Sequence, residues 1–538
     1  MVTEWIFSAS LQVHKSLINL RRIFRSKFFF TASLFLASIL LLFSKSMIFA
    51  QDIECSDLIK FNREMKNMAV IASDAEGFYV ADENKKEQFV RLSKFGFDGL
   101  KQTWTTNISI ASTPHDQQYE KLQFFGDKFM LFTSRFNQVS EQYQIFCSFF
   151  DLNGKKLTDP ALVHYTLIEG RSSAPAFELI ISPDSSKMLL YFDPPGERKM
   201  TEALSFKCYD IELDMLWEKE IKLPYSADMV QVHSFLLDNK ANVYMMSGRN
   251  PSKSGSLWQK AQGGRYVVFF FSASENKLKE YDVSLKDKQV MSVKFDLNKE
   301  QEVIIAGYYS NDFRFSAAGT FLFAIDSFGA AVKSASFMPF PKEFLLKLLK
   351  KTKSDSEAAL PDFYLDHLII HDDGNILLIG EQYYATENIA LDPATGRQLI
   401  EYRFNFDDII VTSLDRNGRH TWNAKIPKRQ FTVSDTKVCS YQCFKTATGL
   451  SFYFNDHSEN QQKLSALEDE EPTLWSGSKS GVTTRATVAM DGSQKRETLF
   501  SNKEKDALLN TYYGLKDTGG PHLLGYEDGK SYKYCLVK

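Results

Sequence analysis

The feature that most constrains this chain is a short phrase, two strands joined by a tight turn, that recurs at wide intervals. The clearest copy is VTSLDRNGRHTW at 411–422, in which apolar and polar residues alternate around an Asp-x-x-Gly turn. Such alternation, bounded by Asp, Asn and Gly, is the pattern of a β-hairpin. Other copies, two of them looser, lie at 92–104, 146–157, 206–217, 269–281, 321–332 and 486–499.

A second hairpin pattern alternates with the first along the chain. Its clearest copy is LIIHDDGNILLIGEQYY at 368–384. One copy of each pattern makes four strands, and the pair recurs every 50 to 75 residues, roughly the spacing of propeller blades that carry loop insertions. A four-stranded sheet cannot bury both faces alone, whereas a ring of such sheets buries them all. The sequence therefore predicts an all-β fold, a β-propeller of four-stranded antiparallel blades.

The turn and tryptophan positions of the phrase are predicted to be structural. Glycine supplies the positive φ that the turn needs, and aspartate bonds the backbone of the turn. Tryptophan is predicted to fill an equivalent packing position in each copy that has one. These structural blade positions are Trp104, Asp151, Gly154, Trp217, Asp326, Gly329, Asp415, Gly418 and Trp422.

The repeat count favours eight blades. Seven units are complete, and an eighth stops after its third strand, SYKYCLVK at 531–538. The segment DIECSDLIKF at 52–61 is available as the missing fourth strand, which would close the ring. That closure would bring Cys55 near Cys535 and allow a disulfide between them. Seven blades with an irregular terminal segment is the alternative count.

The first fifty residues have the composition of an export signal. A basic segment at 21–27 precedes an uncharged apolar run at 28–43, and the small residue Ala50 follows. This order predicts a signal peptide at 1–50, cleaved after Ala50, with an uncleaved anchor as the alternative. We therefore expect export by the general secretory route to the periplasm, the outer surface or the medium. The mature chain is predicted to have an N-terminal strand at 51–64 and the propeller at 65–538.

The balance of charges excludes a nucleic-acid-binding surface, and the spacing of the cysteines excludes a zinc site. The chain has 64 Lys+Arg against 67 Asp+Glu, without the basic excess of a nucleic-acid-binding protein. The six cysteines show neither the CxxC pairs nor the matching histidine pair of a zinc site. We expect no nucleic acid, no metal and no cofactor, and no membrane span once the signal is removed.

Three segments depart from the repeat and are predicted to be insertions. The first, at 341–360, contains PKEFLLKLLKKTK, whose apolar stripe opposite lysines predicts the one short helix of the fold. The second, at 385–408, is predicted to be an extra hairpin between two expected strands. The third, at 458–481, is predicted to be a polar, solvated loop.

The hairpin insertion is the predicted contact for a protein or glycan partner, because binding residues concentrate on loops held by a rigid scaffold. Packing against a neighbouring blade is the alternative role for its side chains. The predicted partner-binding residues are Tyr383, Tyr384, Arg397, Tyr402 and Arg403.

No catalytic residue is predicted. The chain contains no G-x-S-x-G elbow, no H-E-x-x-H pair and no phosphate-binding loop. His367 and His371 fall in a predicted strand, where four residues span about 13 Å, too far to share a metal. A site assembled from several blades would leave no local motif, so an enzyme stays an alternative.

The Asp-x-x-Gly-x-x-x-Trp phrases resemble those of quinoprotein-like, WD-type and other uncharacterised secreted bacterial β-propellers. ALDPATGRQLIEY at 390–402 is similar to the docking motif of the quinoprotein-like group, with Ile400 in place of its tryptophan. The resemblance covers roughly residues 65–538 and implies a propeller whose repeated motifs are structural. The vicinal cysteines of quinone-dependent dehydrogenases are absent, since Cys439 and Cys443 are four positions apart.

Together these observations predict a secreted or envelope β-propeller that acts as a non-enzymatic binding or scaffold protein for a protein or carbohydrate partner. One alternative is an extracytoplasmic hydrolase or lyase with its active site at the propeller axis. The other is a quinoprotein-like structural scaffold in an envelope assembly. An enzyme should bring titratable groups with shifted pKa values together at one rim, whereas a binder should expose an apolar or aromatic patch.

Overall fold

A computed structural model describes residues 53–537 apart from 61, 63, 111–116, 176, 193–200, 250–264, 286, 312–315, 328–331, 350–358, 392–395, 435, 467–469, 478–479 and 515–520. The chain divides into two compact units. The smaller is Met1–Ile53 with Val537–Lys538, of which only Ile53 and Val537 are described. The larger, Glu54–Leu536, carries the fold. The predicted signal peptide and its cleavage site lie outside the described residues.

Two short strands, β1 (Ile53–Cys55) and β2 (Ile59–Lys60), precede eight antiparallel sheets. Blades 1 and 2 contain β3 (Met65–Ser73), β4 (Gly77–Asn84), β5 (Phe89–Gly96), β6 (Gln102–Ser109), β7 (Gln118–Phe125), β8 (Lys128–Asn137), β9 (Gln142–Phe150) and β10 (Ala161–Leu167). Blades 3 and 4 contain β11 (Phe177–Ile181), β12 (Lys187–Phe192), β13 (Thr201–Asp210), β14 (Met215–Ser226), β15 (Val230–Leu237), β16 (Val243–Arg249), β17 (Arg265–Ser272) and β18 (Lys277–Val283).

The second half of the chain repeats the pattern with short additions. Blade 5 contains β19 (Gln289–Leu297), β20 (Val303–Ser310), β22 (Gly319–Ile325) and β23 (Val332–Pro339), and the small strands β21 (Ser316–Ala317) and β24 (Leu360–Pro361) pair beside it. Blade 6 contains β25 (Phe363–Ile370), β26 (Ile376–Leu391), β27 (Gln398–Leu414) and β28 (His420–Ile426), with β29 (Gln430–Thr432) paired to β27. Blade 7 contains β30 (Gln442–Thr446), β31 (Gly449–Asp456), β32 (Val482–Ala489) and β33 (Gln494–Ser501). Blade 8 contains β34 (Leu508–Gly514), β35 (His522–Glu527), β36 (Ser531–Val537) and β1.

The predicted eight-bladed propeller is confirmed by this topology. First strands contact each other between blades 1 and 2, 3 and 4, and 5 and 6, and β34 contacts both β30 of blade 7 and β3 of blade 1. The ring therefore closes with eight blades and not with seven.

The hydrophobic core lies between adjacent blades. Buried side chains cluster in groups that each combine residues of two neighbouring sheets, as Phe78 and Phe95 of blade 1 do with Tyr534 of blade 8. Each fully buried large apolar side chain contributes roughly 1.5–3 kcal/mol. No blade can bury its own faces, so every sheet depends on the next.

Two of the Asp-x-x-Gly turns are described in full, and these two have the same geometry. The carboxylate of Asp151 accepts hydrogen bonds from the backbone N–H groups of residues 153 and 155 at 2.9 and 2.8 Å, and Gly154 has φ +74°. The carboxylate of Asp415 accepts from residues 417 and 419 at 2.8 and 2.9 Å, and Gly418 has φ +80°. Of the third pair, Asp326 is half-buried and Gly329 lies outside the described residues.

The three tryptophans of the phrase all stand on the fourth strand of a blade and are half-buried. Trp104 and Trp217 belong to the hydrophobic clusters that join their blades to the next. Trp422 packs over Gly492 of blade 7, and its indole N–H donates to the carbonyl of Met490 at 2.8 Å. These contacts join neighbouring blades at the outer strand.

The N-terminal strand completes blade 8. In the sheet order, β1 lies beside β36, the third strand of that blade. The backbone N–H of Ser56 donates to the carbonyl of Tyr534 at 2.8 Å, and a disulfide joins Cys55 to Cys535. The remaining cysteines take no part in a disulfide within the described part of the chain.

A bulge interrupts the pairing of the first strand in five blades. The register between first and second strands shifts by one residue in blades 1, 2, 4, 5 and 6. The residues skipped by these shifts are Ile71, Glu120, His233, Met291 and Asp366. A bulge changes the direction of a side chain without breaking the strand.

The predicted short inserted helix is confirmed, and two further short helices accompany it. The described residues contain α1 (Lys342–Leu349), α2 (Asn460–Ala466) and α3 (Asn502–Lys505), with 3-10 turns at Arg171–Ser173 and Thr436–Val438. Helix α1 is the predicted one, and its buried Leu345 packs in the cluster between blades 5 and 6. The sequence of helix α2 has no apolar stripe, so hydrophobic periodicity did not predict this helix. No helix in the described ranges is both long and apolar enough to cross a bilayer.

The segment predicted as a solvated loop, 458–481, is in part a packed structure. The side chain of Asn460 donates to a carboxylate oxygen of Asp456 at 2.7 Å and to the carbonyl of Thr473 at 2.9 Å. Trp475 is 1% exposed, and its backbone carbonyl accepts from Phe431 of β29 at 3.0 Å. The composition of this segment is polar, but contacts with blade 6 give part of it a packed structure.

Candidate functional site

A cavity lies where the first strands of blades 4 to 8 come together. Its volume is about 720 Å³, within the range of roughly 300–1,000 Å³ that is usual for small-molecule sites. The polar side chains of its wall are His233, Ser234, Lys294, Asp296, Asp366, His367, Gln442, Lys445 and Thr511, and the aromatic ones are Phe235, Phe295, Tyr441, Phe444 and Tyr512. We call this space the axial cavity.

The first strands bring these residues together from five blades. Strand β19 supplies Lys294 and Asp296, β25 supplies Asp366 and His367, and Tyr441 directly precedes β30. The bulge of β25 falls at Asp366, and both Asp366 and the adjacent His367 border the cavity. No pair of these strands is adjacent in sequence, so the cavity leaves no local motif.

Asp366 has the most informative environment in the cavity. The hydroxyl of Tyr441 donates to its carboxyl Oδ2 at 2.8 Å. Burial and the nearby Glu381 carboxylate raise the pKa of Asp366 to about 7, although Tyr441, Lys294 and Lys428 oppose the rise. Near neutral pH this carboxyl group therefore exchanges a proton, which an ordinary aspartate does not.

A buried ion pair lies behind Asp366. Lys428 Nζ is 2.6 Å from Glu381 Oε1, and the two residues are 1% and 4% exposed. The ammonium group also donates to the carbonyl of Phe406 at 2.9 Å and to Gln430 Oε1 at 3.0 Å. The hydroxyl of Ser440 donates to Glu381 Oε2 at 2.6 Å. Burial raises the pKa of Glu381 despite these partners.

The cavity histidines differ from those in the blade cores. His367 is exposed in the cavity wall, with its ring centroid 5.9 Å from that of Tyr441. Burial lowers the pKa of His420 and of His522 to about 4, and each bonds a hydroxyl, Thr320 at 2.7 Å and Tyr453 at 2.6 Å. These two histidines are neutral packing residues. His371 lies in the turn after β25.

Within the described part of the chain, no three His, Cys, Asp or Glu side chains are grouped as metal ligands would be. The chemistry available in the axial cavity is that of hydrogen bonding, proton exchange at Asp366, two lysine charges and aromatic faces.

The predicted partner-binding residues lie on or beside one long hairpin, but it is not an extra hairpin between two strands. Strands β26 and β27 themselves run on past the blade, with a register shift between Glu381 and Tyr383. Strand β25 pairs with β26 only as far as Gln382, and β28 pairs with β27 only from Ile409. Beyond these points β26 and β27 pair with each other, and β29 covers three residues of β27.

The predicted residues have different environments along that hairpin. The hydroxyl of Tyr384 donates to Asp407 Oδ2 at 3.0 Å, and the ring of Tyr383 lies 4.9 Å from that of Phe406. Arg403 stacks on the ring of Phe431 at 3.7 Å. Arg397 and Tyr402 are exposed. Three of the five therefore pack within the blade 6 region, and two face solvent.

The outer part of the hairpin has an apolar face. Ile389 is paired with Ile400, and Leu391 and Tyr402 are two residues from them along their strands, which places all four on one side of the ribbon. Their side chains are between 49% and 67% exposed. This face is a candidate contact surface, separate from the axial cavity.

Sequence reasoning missed the residues that define the axial cavity. Asp366, Lys428 and Tyr441 carry no local signal, because each stands alone in its own strand or loop. Glu381 had a weak signal, since it is a single carboxylate directly after the apolar run ILLIG in the second strand of the hairpin predicted at 368–384. A buried charge of that kind requires a partner.

The sheet topology and the cavity define an eight-bladed β-propeller with an axial site. No family model matches the chain, and no curated protein matches it in sequence. It is similar to dipeptidyl peptidase 4 of Porphyromonas gingivalis at 10% identity over 87% of this chain and 58% of that one, with a TM-score of 0.39. It is similar to the β-propeller domain of the Trilobed protease of Pyrococcus furiosus at 9% identity over 85% and 98%, with a TM-score of 0.32.

A member of the duf4221 family from Bacteroides vulgatus matches at 9% identity over 84% of this chain and 99% of that one, with a TM-score of 0.28. Similarities at this level of identity and TM-score carry no argument about activity. The assignment of the fold therefore depends on the strand order itself.

Proposed function

We propose that this propeller is a binding protein whose ligand, a small carbohydrate, occupies the axial cavity. The observation that carries the proposal is the composition of the cavity wall, which combines aromatic rings with donors and acceptors from five blades. Sugars present C–H faces that pack on aromatic rings and hydroxyls that bond polar side chains. A pocket with apolar walls and a few placed polar groups suits such a ligand.

Tyr512 is the aromatic side chain on which the proposal is tested. It borders the cavity on β34 and is 67% exposed, so its ring is open to a ligand. We expect Tyr512→Ala to weaken the binding of a sugar by about tenfold, because the stacking surface is lost while the fold is not. Isothermal titration calorimetry against a panel of neutral and acidic monosaccharides and disaccharides measures the effect.

Tyr165→Ala is the matched control, since Tyr165 is also an exposed tyrosine, on β10 and outside the cavity. It should bind as the wild type does. Equal losses in the two variants would show that Tyr512 is not part of the site. A panel in which no sugar binds the wild-type protein would refute the proposed function.

A hydrolase or lyase at the same cavity is the second candidate, and the proton chemistry of Asp366 favours it. A carboxyl group whose pKa is about 7 is suited to general acid or base catalysis near neutral pH. If a bound sugar is converted to products, and Asp366→Asn stops the conversion without stopping binding, the protein is an enzyme. Unchanged sugar after prolonged incubation supports the binding protein.

The hairpin of blade 6 stays our proposal for a contact with a protein partner. The exposed aliphatic and aromatic side chains on one face, with Arg397 near the tip, support it, because aromatic residues and Arg are enriched in protein interfaces. Ile389→Asp and Ile400→Asp should reduce retention of a partner from an envelope extract. Retention equal to that of the wild type would argue against this surface.

Export from the cytoplasm is likewise a proposal. The Cys55–Cys535 disulfide supports it, since disulfides persist mainly in oxidising compartments. N-terminal sequencing of the mature protein should begin at Gln51. A mature chain that begins at Met1 would refute cleavage.

A further inference from the structure

The axial cavity contains two lysines that form no salt bridge among the residues that the structure describes. Lys294 and Lys445 both border the cavity and are half-buried. Neither makes a salt bridge with another described residue, whereas Lys425 and Lys428 of blade 6 both do. A partly desolvated ammonium group without an anion is costly, and a ligand that supplies the anion recovers that cost.

The carboxyl groups of the cavity do not neutralise the positive charges of Lys294 and Lys445 at every pH. Burial and the neighbouring Glu381 raise the pKa of Asp366 to about 7, so this carboxyl group is only partly ionised near neutral pH. Lys294 acts electrostatically on Asp366, yet the hydrogen bond to Asp366 comes from Tyr441. Protonation of Asp366 leaves the region around Lys294 positive.

We propose that the ligand is an acidic carbohydrate, whose anionic group lies against Lys294 and whose binding is accompanied by uptake of a proton at Asp366. This inference rests on the proposed function, because it names the class of sugar that the same cavity takes. The anionic group is a carboxylate or a phosphate, which share charge and acceptor geometry.

Proton uptake follows from the groups that face Asp366. They are Glu381 on β26, Lys294 on β19, Lys428 between β28 and β29, Tyr441 before β30 and the buried Tyr308 on β20. The adjacent residue on its own strand is His367. An anion against Lys294 adds a second negative charge beside Glu381, so it raises the pKa of Asp366 further.

The sign of the pH dependence follows from this rise. Between the pKa of the complex and the pKa of the free protein, binding takes up a proton, so affinity increases as the pH falls. We expect the affinity for an acidic sugar to increase from about pH 9 to about pH 6 and to level off below, where free Asp366 is almost entirely protonated. A neutral sugar should show no such dependence.

Calorimetry with glucose, glucuronate and glucose 6-phosphate tests the proposal on the full chain. Glucuronate, glucose 6-phosphate or both should bind at least about tenfold more tightly than glucose, a single charge-assisted contact being enough for that ratio. Titrations in two buffers of different ionisation enthalpy, at about pH 8, should show net proton uptake for the acidic sugar only. The two acidic probes distinguish a carboxylate ligand from a phosphate.

Three variants make the test specific. Lys294→Met, with Lys294→Gln as a second variant should it not fold, should remove the preference for the acidic sugar. Asp366→Asn should keep the preference and lose the pH dependence and the proton uptake. Lys530→Met, in the turn between β35 and β36 and outside the cavity, should change neither.

Failure of this inference is distinguishable from failure of the proposed function. Equal affinity for glucose and both acidic sugars, or a preference that survives loss of Lys294, overturns the acidic ligand and leaves a sugar-binding propeller. Absence of binding by all three probes and by the wider sugar panel overturns both.

Discussion

Replacing Lys428 with methionine will lower the free energy of unfolding by about 3–5 kcal/mol near pH 8, because Glu381 is left as a buried charge without its partner. Lys428 is fully enclosed, donates hydrogen bonds to two oxygen atoms and forms the ion pair with Glu381 at 2.6 Å. Methionine keeps much of the apolar volume of the side chain and removes the charge together with the hydrogen bonds to Phe406 and Gln430. Chemical denaturation of the variant and the wild type in parallel measures the loss.

The pH dependence of this loss identifies its cause. The pKa of Glu381 is higher in the folded protein than in the unfolded chain. At a pH above the pKa of the unfolded chain, the ionised carboxylate therefore lowers the stability of the folded protein. This loss disappears as the pH falls and the carboxyl group takes up a proton. The deficit of Lys428→Met relative to the wild type should therefore shrink as the pH falls. Adding Glu381→Gln to Lys428→Met should recover much of the stability at pH 8, since both charges are then gone. A deficit that is constant with pH and unchanged in the double variant would mean that packing, and not charge, is responsible.

Replacing Cys55 with serine will lower the free energy of unfolding by about 2–4 kcal/mol. The disulfide joins positions that are 480 residues apart in sequence, so it removes much of the freedom of the unfolded chain. It also fixes the strand that completes blade 8 to that blade. Thermal and chemical denaturation under oxidising conditions should show the variant as the less stable protein.

A reductant provides the matched experiment. It should lower the melting temperature of the wild type towards that of Cys55→Ser and leave the variant itself unchanged. The double variant Cys55→Ser/Cys535→Ala should resemble the single variant, because the bond is already lost in both. If the reductant does not change the melting temperature of the wild type, the disulfide does not form in solution.

The blades were predictable because their signals are local. Asp415, Gly418 and Trp422 lie within eight positions, and their hydrogen bonds and φ angles follow from residue type. The closure of the ring was predictable for a different reason: a unit that ended one strand short required a fourth strand, and 52–61 was the segment available. Both inferences used pattern and count, without knowledge of distant contacts.

The axial cavity was not predictable because its members meet only through the closure of the ring. Asp366 and Tyr441 are 75 positions apart, and the pKa of Asp366 depends on Glu381, Lys294 and Lys428 in three other segments. The order in 458–481 was missed for a related reason, since Trp475 is buried by contacts with blade 6 that a polar local sequence does not reveal. The sequence predicted an inserted hairpin at 385–408. The structure has instead two long strands, β26 and β27, which extend past the blade with one register shift.

The bulges on the first strands have a consequence for redesign. Strand pairing fixes the outward and inward alternation of ordinary positions, so a substitution there disturbs the packing of a blade. The five skipped residues, Ile71, Glu120, His233, Met291 and Asp366, are outside that ladder. Only His233 and Asp366 of this set border the axial cavity, whereas Ile71 and Met291 pack in the clusters between blades and Glu120 accepts a hydrogen bond from Tyr143. A mutational library that varies the first two and keeps the other three can therefore change ligand selectivity while the scaffold is retained.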